Sequence, residues 1–298
     1  MRLLLLLIIA SLAACQATPP LPQWQSPEAR QHADLGVIRD LRSGQTLSPR
    51  QLLDRLAEAP RVLVGEQHDN PDHHALQLWL LQALEGRRSQ GSLLLEMLNP
   101  DQQAKVDAVH ARIRSGADEG ELESALAWQR NWDWALYGPI VRHALAQPYP
   151  LLVANLDRSE IMRIYGEQPA LSGTASTTAT VQDALREQIR ESHCGLLPES
   201  QFPAMLAVQQ QRDRRMAERL LAAPQPALLF AGAFHVRRDL GVPLHLADLG
   251  AGQGSAVLIL AEAGKTVEPG SADYVWYTAA LPAKDHCAEL RERMKPAQ

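Results

Sequence analysis

The residues best suited to chemistry in this chain follow one short apolar run. After Val62-Leu63-Val64 comes Gly65-Glu66-Gln67-His68-Asp69-Asn70-Pro71-Asp72-His73-His74. Glutamate and histidine side chains are common metal ligands and common groups for proton transfer. The stretch therefore predicts a site that binds a metal ion or a cofactor, or that moves a proton. Its candidate residues are Glu66, His68, His73 and His74.

The local pattern places this stretch between a strand and a helix. A run of branched apolar residues is typical of a buried strand, and Asn70 followed by Pro71 is a typical helix start. In open α/β sheets, ligands bind at the carboxyl ends of strands. A second interpretation stays open, because Asp69 and Asp72 are ordinary residues for a helix start and one of two adjacent histidines normally faces solvent.

Three later apolar runs repeat this arrangement, at residues 92–95, 151–154 and 227–230. Uniformly apolar runs are typical of strands that helices cover on both faces. Helical patterns lie between the runs, at 71–86, 100–114, 119–146, 180–192 and 199–222. The alternation predicts an α/β fold, in which a single domain has a mostly parallel central sheet with helices on both faces.

Parallel strands end along one edge of a sheet, so the polar residues at these ends are expected around a single crevice. They are Glu66, His68, Glu96, Asn155, Arg158, His235 and Arg237.

Later segments predict further elements. Residues 244–249, 256–260 and 274–278 are expected to complete the sheet, with His245 as a half-buried strand residue. The glycine-rich segment 250–254 then predicts a hairpin or loop between two strands. The polar stretch 172–180 is typical of a mobile loop.

The first fifteen residues predict export and lipid attachment. Met1-Arg2 and the apolar run 3–10 have the form of a signal peptide, and Leu12-Ala13-Ala14-Cys15 has the form of a bacterial lipobox, cleaved before the cysteine. Gln16 after the cysteine, rather than aspartate, resembles lipoproteins sorted to the outer membrane. The alternative is an ordinary signal peptide with an incidental cysteine.

These signals divide the chain into three parts. We expect a signal peptide at 1–14, a lipidated cysteine with a proline-rich flexible tether at 15–26, and one domain at 27–298. Removing the signal peptide takes away one arginine and changes the formal charge from −5 to −6. This mild acidity argues against nucleic acid or anionic lipid as a partner.

Two cysteines remain in the domain, Cys194 and Cys287. An oxidising compartment favours a disulfide between them, and two buried free thiols are the alternative. The chain has no C-x-x-C-H, which excludes covalent c-type haem. It also has no H-E-x-x-H or G-x-S-x-G, which argues against a standard zincin and a serine esterase of the α/β-hydrolase type.

As a set, the motifs resemble the ChaN family of iron-regulated haem-binding lipoproteins, in the Tiki superfamily. The motifs are the G-E-x-H turn, the E-M and N-L-x-R strand ends, the helix segment 211–217 and the segment 235–243. The resemblance covers residues from about 35 to about 280. It implies helices around a parallel sheet, haem uptake or storage at the outer membrane, and a homodimer around two face-to-face haems.

The resemblance also implies a tyrosine of one subunit as the iron ligand and a histidine of the other at the propionates. Tyr137 is our candidate ligand, because it ends a cluster with Trp128, Trp132 and Trp134 and a porphyrin needs flat apolar walls. A core helix covered on two sides would give the same pattern. Relatives can carry an aromatic residue where this chain has Leu240, so the ligand is expected to come from elsewhere.

Other side chains are candidates for holding the haem propionates. They are His68, Arg158, His235 and Arg237, with Arg238 beside the last.

The sequence is consistent with three functions. The first is a haem-binding lipoprotein. Relatives of the family also include metal-dependent proteases and erythromycin esterases, so the second is a hydrolase in which Glu66, His68, Glu96 and His235 hold a divalent ion or activate water. The third is a binding or scaffolding lipoprotein with a vestigial crevice.

Overall fold

The predicted apolar runs form the centre of the sheet. A computed structural model of the chain describes residues 18–293. Within these residues the strands are β1 Ile38–Asp40, β2 Thr46–Leu47, β3 Arg61–Glu66, β4 Ser92–Leu95, β5 Leu151–Val153, β6 Ala227–Gly232, β7 Ser255–Glu262 and β8 Tyr274–Thr278.

The helices within the same residues cover both faces of the sheet. They are α1 Pro49–Glu58, α2 Pro71–Glu85, α3 Gln103–Arg114, α4 Leu122–Ala125, α5 Trp134–Ala146, α6 Arg158–Glu167, α7 Ala179–Ser192, α8 Phe202–Ala222, α9 Ala233–Val236, α10 Val242–Asp248 and α11 His286–Arg293. None of the helices in this described part of the chain has the length and apolar character to span a membrane.

The strand order is β2-β1-β8-β7-β3-β6-β4-β5. From β8 to β5 every pair is parallel, and β1 pairs antiparallel with both of its neighbours. The predicted mostly parallel α/β fold is therefore confirmed. Strands β1 and β2 were not predicted, because they are too short to show a periodic pattern.

Alternate residues of the central strands point to the two faces of the sheet. Val62 and Val64 of β3 pack with α1, α2, α3 and α5 on one face. Leu63 between them packs with α8, α9 and α10 on the other face. Burial on both faces explains why the runs are apolar without alternation.

A crevice forms where two crossovers run in opposite directions. From β3 the chain passes over one face through α2 to β4, and from β6 it returns over the other face through α9 and α10 to β7. At such a switch point the two connections separate beyond the carboxyl ends of the strands. The space opens beside the ends of β3 and β6, which carry the predicted site residues.

Two predicted elements are wrong. The pattern at 119–146 is not one helix, because α4 and α5 are separated by a segment that includes Ala127 at a positive φ of 47°. Residues 244–249 do not form a strand, since helix α10 begins at Val242, with Pro243 in its first turn. His245 is therefore a fully buried helical residue, and segment 250–254 joins a helix to β7 instead of joining two strands.

The polar stretch 172–180, predicted to be mobile, is held in place. The Asp248 carboxylate accepts hydrogen bonds from the backbone N–H groups of Thr174, Ala175 and Ser176, at 2.7–3.1 Å. Arg214 donates to the Ser172 carbonyl at 2.6 Å. These bonds run to residues distant in sequence, so local composition could not reveal them.

Part of the predicted flexible tether also lies against the domain. Residues 18–26, called the strap below, run along α2. The signal peptide 1–14 and Cys15 lie outside the described residues.

Cys194 and Cys287 form a disulfide, so the alternative of two free thiols does not apply. The bond joins the segment after α7 to the start of α11.

Candidate functional site

The crevice has a volume of about 500 Å³ and lies at the carboxyl ends of β3, β6 and β7. Its polar lining includes Glu66, His68 and His235. Gly65 allows this arrangement, because a Cβ there would lie 2.5 Å from Val236 Cγ2 and 2.8 Å from Ala233 Cα. Helix α9, which carries His235, can thus pack directly on β3.

Glu66 is the centre of a buried polar cluster. Its Oε1 accepts a hydrogen bond from the Tyr137 hydroxyl at 2.6 Å and lies 2.9 Å from Nδ1 of His68. Its Oε2 lies 3.0 Å from Nδ1 of His74. Burial alone would raise the pKa of Glu66, but the adjacent His74 and His68 lower it to about 2. Glu66 is therefore an ionised carboxylate inside the protein.

The two adjacent histidines both face inward. His73 Nδ1 accepts from the Gln67 N–H at 2.8 Å and its Nε2 lies 3.0 Å from Thr278 Oγ1. Burial lowers the pKa of His73 to about 3, so the ring is neutral. His74 is also buried and bonds through Nε2 to the His68 carbonyl at 3.0 Å. The expectation that one of them faces solvent is wrong, and both position the 66–74 turn.

Glu96 and His235 form a second buried pair. Oε2 of Glu96 accepts the Gly232 N–H at 2.7 Å, and its Oε1 lies 3.3 Å from Nε2 of His235. Nδ1 of His235 lies 2.5 Å from Oδ1 of Asp213. Burial would lower the pKa of His235, but Glu96 and Asp213 raise it to about 10. His235 is therefore an imidazolium held between two carboxylates.

His68 presents its other ring nitrogen to the crevice. A Cβ on Gly232 would lie 2.8 Å from Nε2 of His68, so the glycine lets the imidazole pack against the end of β6. The His68 side chain is 43% exposed and lines the crevice. The Trp132 ring packs edge-on against the imidazole at a centroid distance of 4.8 Å. Burial lowers the pKa of His68, but the Glu66 hydrogen bond and the charge of Glu96 outweigh it and raise the pKa.

The structure thus brings Glu66, His68, Glu96 and His235 to one crevice. Asn155 supports them from behind, since its Nδ2 donates to the Glu96 carbonyl at 3.0 Å. Within residues 18–293, however, no group of three or more His, Cys, Asp or Glu side chains has the arrangement to hold a metal ion. The two carboxylates are bonded to imidazoles instead.

The comparisons with known proteins identify the family. The model described as haem-binding uptake, Tiki superfamily, ChaN matches residues 52–246. A solved structure shows cofacial haem binding to ChaN of Campylobacter jejuni, and its sequence is 31% identical to this chain. The match covers 82% of this chain and 97% of the Campylobacter jejuni chain, with a TM-score of 0.75. The chain belongs to the ChaN family. The resemblance stated from the motifs is confirmed.

Two other solved structures share less with this ChaN-family chain. An erythromycin esterase in its open conformation is 15% identical, with 82% of each chain covered and a TM-score of 0.46. A Bacillus cereus protein is 12% identical, with 71% of this chain and 68% of that chain covered and a TM-score of 0.42. A search of the curated proteins gives no match.

Tyr137 lies in the core of this ChaN-family chain and not at the crevice surface. It is 1% exposed, and its hydroxyl is occupied by Glu66. Burial and the charge of Glu66 raise the pKa of Tyr137, which disfavours the phenolate that an iron ligand would be. In this structure the Tyr137 hydroxyl therefore positions Glu66, and Tyr137 as a haem ligand stays a prediction.

The remaining tyrosines offer no replacement. Tyr149, Tyr274 and Tyr277 are buried, and Tyr165 packs against a small cluster around α6. Among the described residues that line the crevice there is no tyrosine. Leu240 is buried as well, in a cluster with α7 and α8. The side chains that line the crevice of this chain therefore include the imidazoles of His68 and His235 but no tyrosine of the kind that the resemblance implied.

The predicted arginines separate into two groups. Arg237 lines the crevice and is held by both oxygens of Asp239, at 2.9 and 2.6 Å. Arg158 begins α6 as an exposed residue and does not line the crevice, and Arg238 is paired with Asp273. Arg158 is therefore not among the residues that this structure brings to the crevice.

Three residues of the site were not predicted from the sequence. Asp213 orients His235, Phe234 is exposed at the rim, and Lys265 adds a cation there. Asp213 belongs to the 211–217 motif, which was noted as a resemblance without a role for the carboxylate. No local pattern marked Phe234 or Lys265, because they reach the crevice only through the packing of α9 and the segment after β7.

Proposed function

We propose that this chain binds haem in the crevice and that Nε2 of His68 ligates the iron. One observation carries the proposal: Nδ1 of His68 is bonded to the ionised Glu66, while the His68 side chain is 43% exposed and lines the crevice. A carboxylate can only accept, so Nδ1 keeps its proton and Nε2 is the nitrogen that can bind iron. The raised pKa of His68 favours a proton on Nε2 as well, so iron binding would release that proton. Such a carboxylate partner fixes the ring and increases its strength as a ligand.

The lining of the crevice fits the chemistry of haem. Phe234, Ile259 and Val267 supply apolar wall, and Phe234 is 52% exposed. Arg237 and Lys265 are the cations of the lining, and propionates would share them with Asp239 and Glu262, which pair with them in this structure. The volume lies within the ~300–1,000 Å³ typical of cofactor sites. Bound haem would supply an iron centre whose properties the His68–Glu66 pair sets.

His235 is less suited to be an iron ligand. Both of its nitrogens face carboxylates, and a protonated ring has no lone pair to offer. It is placed to hold Glu96 in position, because its charge is matched by the carboxylates of Glu96 and Asp213.

The family supports a wider role. The family is described by haem-binding uptake, and the Campylobacter jejuni ChaN shows cofacial haem binding. We extend both to this chain as a haem uptake or storage protein that pairs with a second copy around haem. The exposed phenyl ring of Phe234 at the rim would be covered in such a pair. Sedimentation of the protein with and without haem tests the dimer.

The lipobox supports a location for this role. We propose that Cys15 carries the lipid and that the protein is anchored at the outer membrane, with haem as its ligand and no nucleic acid as a partner. Changing Cys15→Ser should abolish lipid labelling and release the protein from membranes. Unchanged membrane fractionation would contradict the anchor.

Absorption titration tests the haem site directly. Purified protein titrated with ferric haem should develop a Soret band that saturates, and His68→Ala should weaken binding at least about tenfold, the effect of losing ~1.4 kcal/mol. His193→Ala is the control, because this residue follows α7 outside the crevice lining and bonds to the Ile189 carbonyl. Saturable binding that is equal in His68→Ala would contradict the proposed ligand.

A hydrolase stays the second candidate, because two carboxylate–imidazole pairs face one crevice. In this account His68, oriented by Glu66, acts as a general base toward water, and the His235–Glu96 pair stabilises the developing charge. Turnover of ester or peptide substrates that survives chelating agents and is lost in His68→Ala would support it. Absence of turnover together with a saturable Soret band would leave haem binding alone.

A further inference from the structure

The strap, residues 18–26, lies antiparallel along α2. At one end the Arg87 guanidinium donates to Thr18 Oγ1 at 3.4 Å, and Trp79 Nε1 donates to the Pro19 carbonyl at 2.8 Å. At the other end the N–H groups of Gln25 and Ser26 donate to the Asp72 carboxylate, at 2.6 and 3.0 Å.

These contacts reach from one edge of the sheet to the other. Asp72 lies in the first turn of α2, four residues after His68 of the crevice, and is 1% exposed. The 15-residue helix then runs ~22 Å away from the crevice. Arg87 follows its end, and the next residue, Arg88, donates to the Ala59 carbonyl just before β3. The beginning of the strap is therefore at the amino ends of the strands.

Chain length ties the lipid to the same edge. Cys15 precedes Thr18 by three residues, and a chain spans at most about 3.6 Å per residue. The modified cysteine can therefore lie no more than ~11 Å from Thr18, which is half the length of α2.

We propose that the edge of the sheet around Asp54 and Arg87 is the surface that faces the lipid bilayer, and that the crevice opens away from the bilayer. Asp54 is exposed on α1 and pairs with Arg87 at 3.1 Å, so it marks this edge. The inference rests on the lipid attachment proposed above. It adds the side of the molecule that contacts the membrane.

The charged side chains of this edge indicate that the acyl chains on Cys15, and not ionic contacts to lipid headgroups, attach the protein to the bilayer. Arg88 is occupied by backbone carbonyls of 56, 57 and 59, and Arg61 by those of 251 and 253. Neither is free to bind lipid headgroups, and the mature chain is acidic. Attachment is therefore expected to resist high salt, unlike that of a polybasic surface.

The orientation has a consequence for the ligand of the crevice. A crevice on the far edge cannot take haem directly from the bilayer that anchors the protein. Its haem must arrive from, and leave to, a partner on the aqueous side, either a soluble carrier or a protein facing it.

Photo-crosslinking in cells tests the orientation with the full chain. The photoreactive residue p-benzoylphenylalanine is placed at Asp54 in one variant and at Phe234 in another, since both positions are exposed. After irradiation, phospholipid adducts should be several-fold more abundant at position 54 than at position 234. Equal adducts, or more at position 234, would overturn the orientation.

Two control variants separate the possible failures. With Cys15→Ser, release from the membrane and loss of all adducts is expected, and retention in the membrane would overturn the lipid attachment and this inference together. Inserting twelve Gly/Ser residues between Gln16 and Ala17 extends the reach by ~19 Å and should lower the adducts at position 54. Undiminished adducts would show that the short link does not set the orientation. Neither variant depends on haem, so a failed haem titration leaves this result intact.

Discussion

At the scale of single residues, the site depends on which atoms of each imidazole are occupied. The sequence brought out Glu66, His68, Glu96 and His235 because each follows an apolar run. It could not show that Glu66 holds Nδ1 of His68 while Asp213 and Glu96 hold both nitrogens of His235. The role of Tyr137 could not be decided from the sequence for the same reason, since an aromatic cluster has the same pattern whether it lines a cofactor or fills the core.

Tyr137→Phe distinguishes these two roles. The change removes a buried hydroxyl that donates to a carboxylate, so the free energy of unfolding should fall by ~1.5–3 kcal/mol while the haem spectrum stays unchanged. Tyr149→Phe is the matched control, because its hydroxyl donates to Glu85 at 2.5 Å, outside the crevice lining. Urea unfolding and absorption spectra provide the two readouts. A shifted Soret band in Tyr137→Phe alone would support Tyr137 as a ligand.

The buried ion pairs also predict how stability depends on pH. The pKa of His235 is about 10 in the folded chain against 6.5 for an ordinary histidine, so its contribution is complete below pH 6.5 and is lost as pH rises toward 10. The pKa of Glu66 and of Glu96 is lowered from 4.5 to about 2, so their contribution is lost as pH falls through that interval.

The free energy of unfolding should therefore be highest between about pH 5 and 6.5 and decline on both sides. Denaturant titrations at pH values below, within and above this interval measure the free energy of unfolding. His235→Gln should flatten the alkaline decline, and wild-type stability that increases from pH 7 to 10 would contradict the assignment.

At the scale of elements, the turn from β3 into α2 is the part that positions the site. Its cap was predictable, because Asn70-Pro71 is a strong helix start. Its further hydrogen bonds were not predictable, because they join residues far apart in the sequence. The Asn70 amide donates to Glu262 Oε1 at 3.0 Å, 192 residues away, and to the Ala279 carbonyl at 3.1 Å, 209 residues away. Segment 244–249 failed because a short apolar run fits a strand or a buried helix equally well.

Asn70→Ala tests the importance of this turn. The variant loses a helix cap and two buried hydrogen bonds, so we expect a loss of ~2–4 kcal/mol in the free energy of unfolding. Asp133→Ala is the control, because Asp133 caps α5 through a single exposed bond and should cost ~1 kcal/mol. Equal losses in thermal or urea unfolding would show that the bonds beyond the cap contribute nothing.

At the scale of the whole molecule, the alternation of strands and helices was enough to predict the sheet and the edge that carries the site. It could not predict the two opposite crossovers, the strap along α2 or the hydrogen bonds with Asp248 and Arg214 that hold residues 172–180. Each of these depends on contacts between segments far apart in the chain, which no local pattern encodes.

The disulfide is a long-range tie of the same kind. It joins residues 93 positions apart, and on the chain-entropy model closing such a loop stabilises the fold by ~4–5 kcal/mol. We expect the Cys194→Ser, Cys287→Ser variant to lose ~2–5 kcal/mol of stability and to keep its haem affinity. An unchanged midpoint of thermal unfolding, measured under non-reducing conditions, would contradict this.

The central claim is that His68 ligates haem iron in the crevice, and pulsed electron paramagnetic resonance tests it most directly. Ferric-haem complexes are prepared from protein grown with ¹⁴N- or ¹⁵N-histidine, and the nitrogen couplings to the iron are compared. We predict a histidine nitrogen coupling that follows the isotope in the wild type and in Tyr137→Phe and disappears in His68→Ala. Bound haem without any isotope-sensitive histidine coupling, or a coupling that persists in His68→Ala, would contradict the claim.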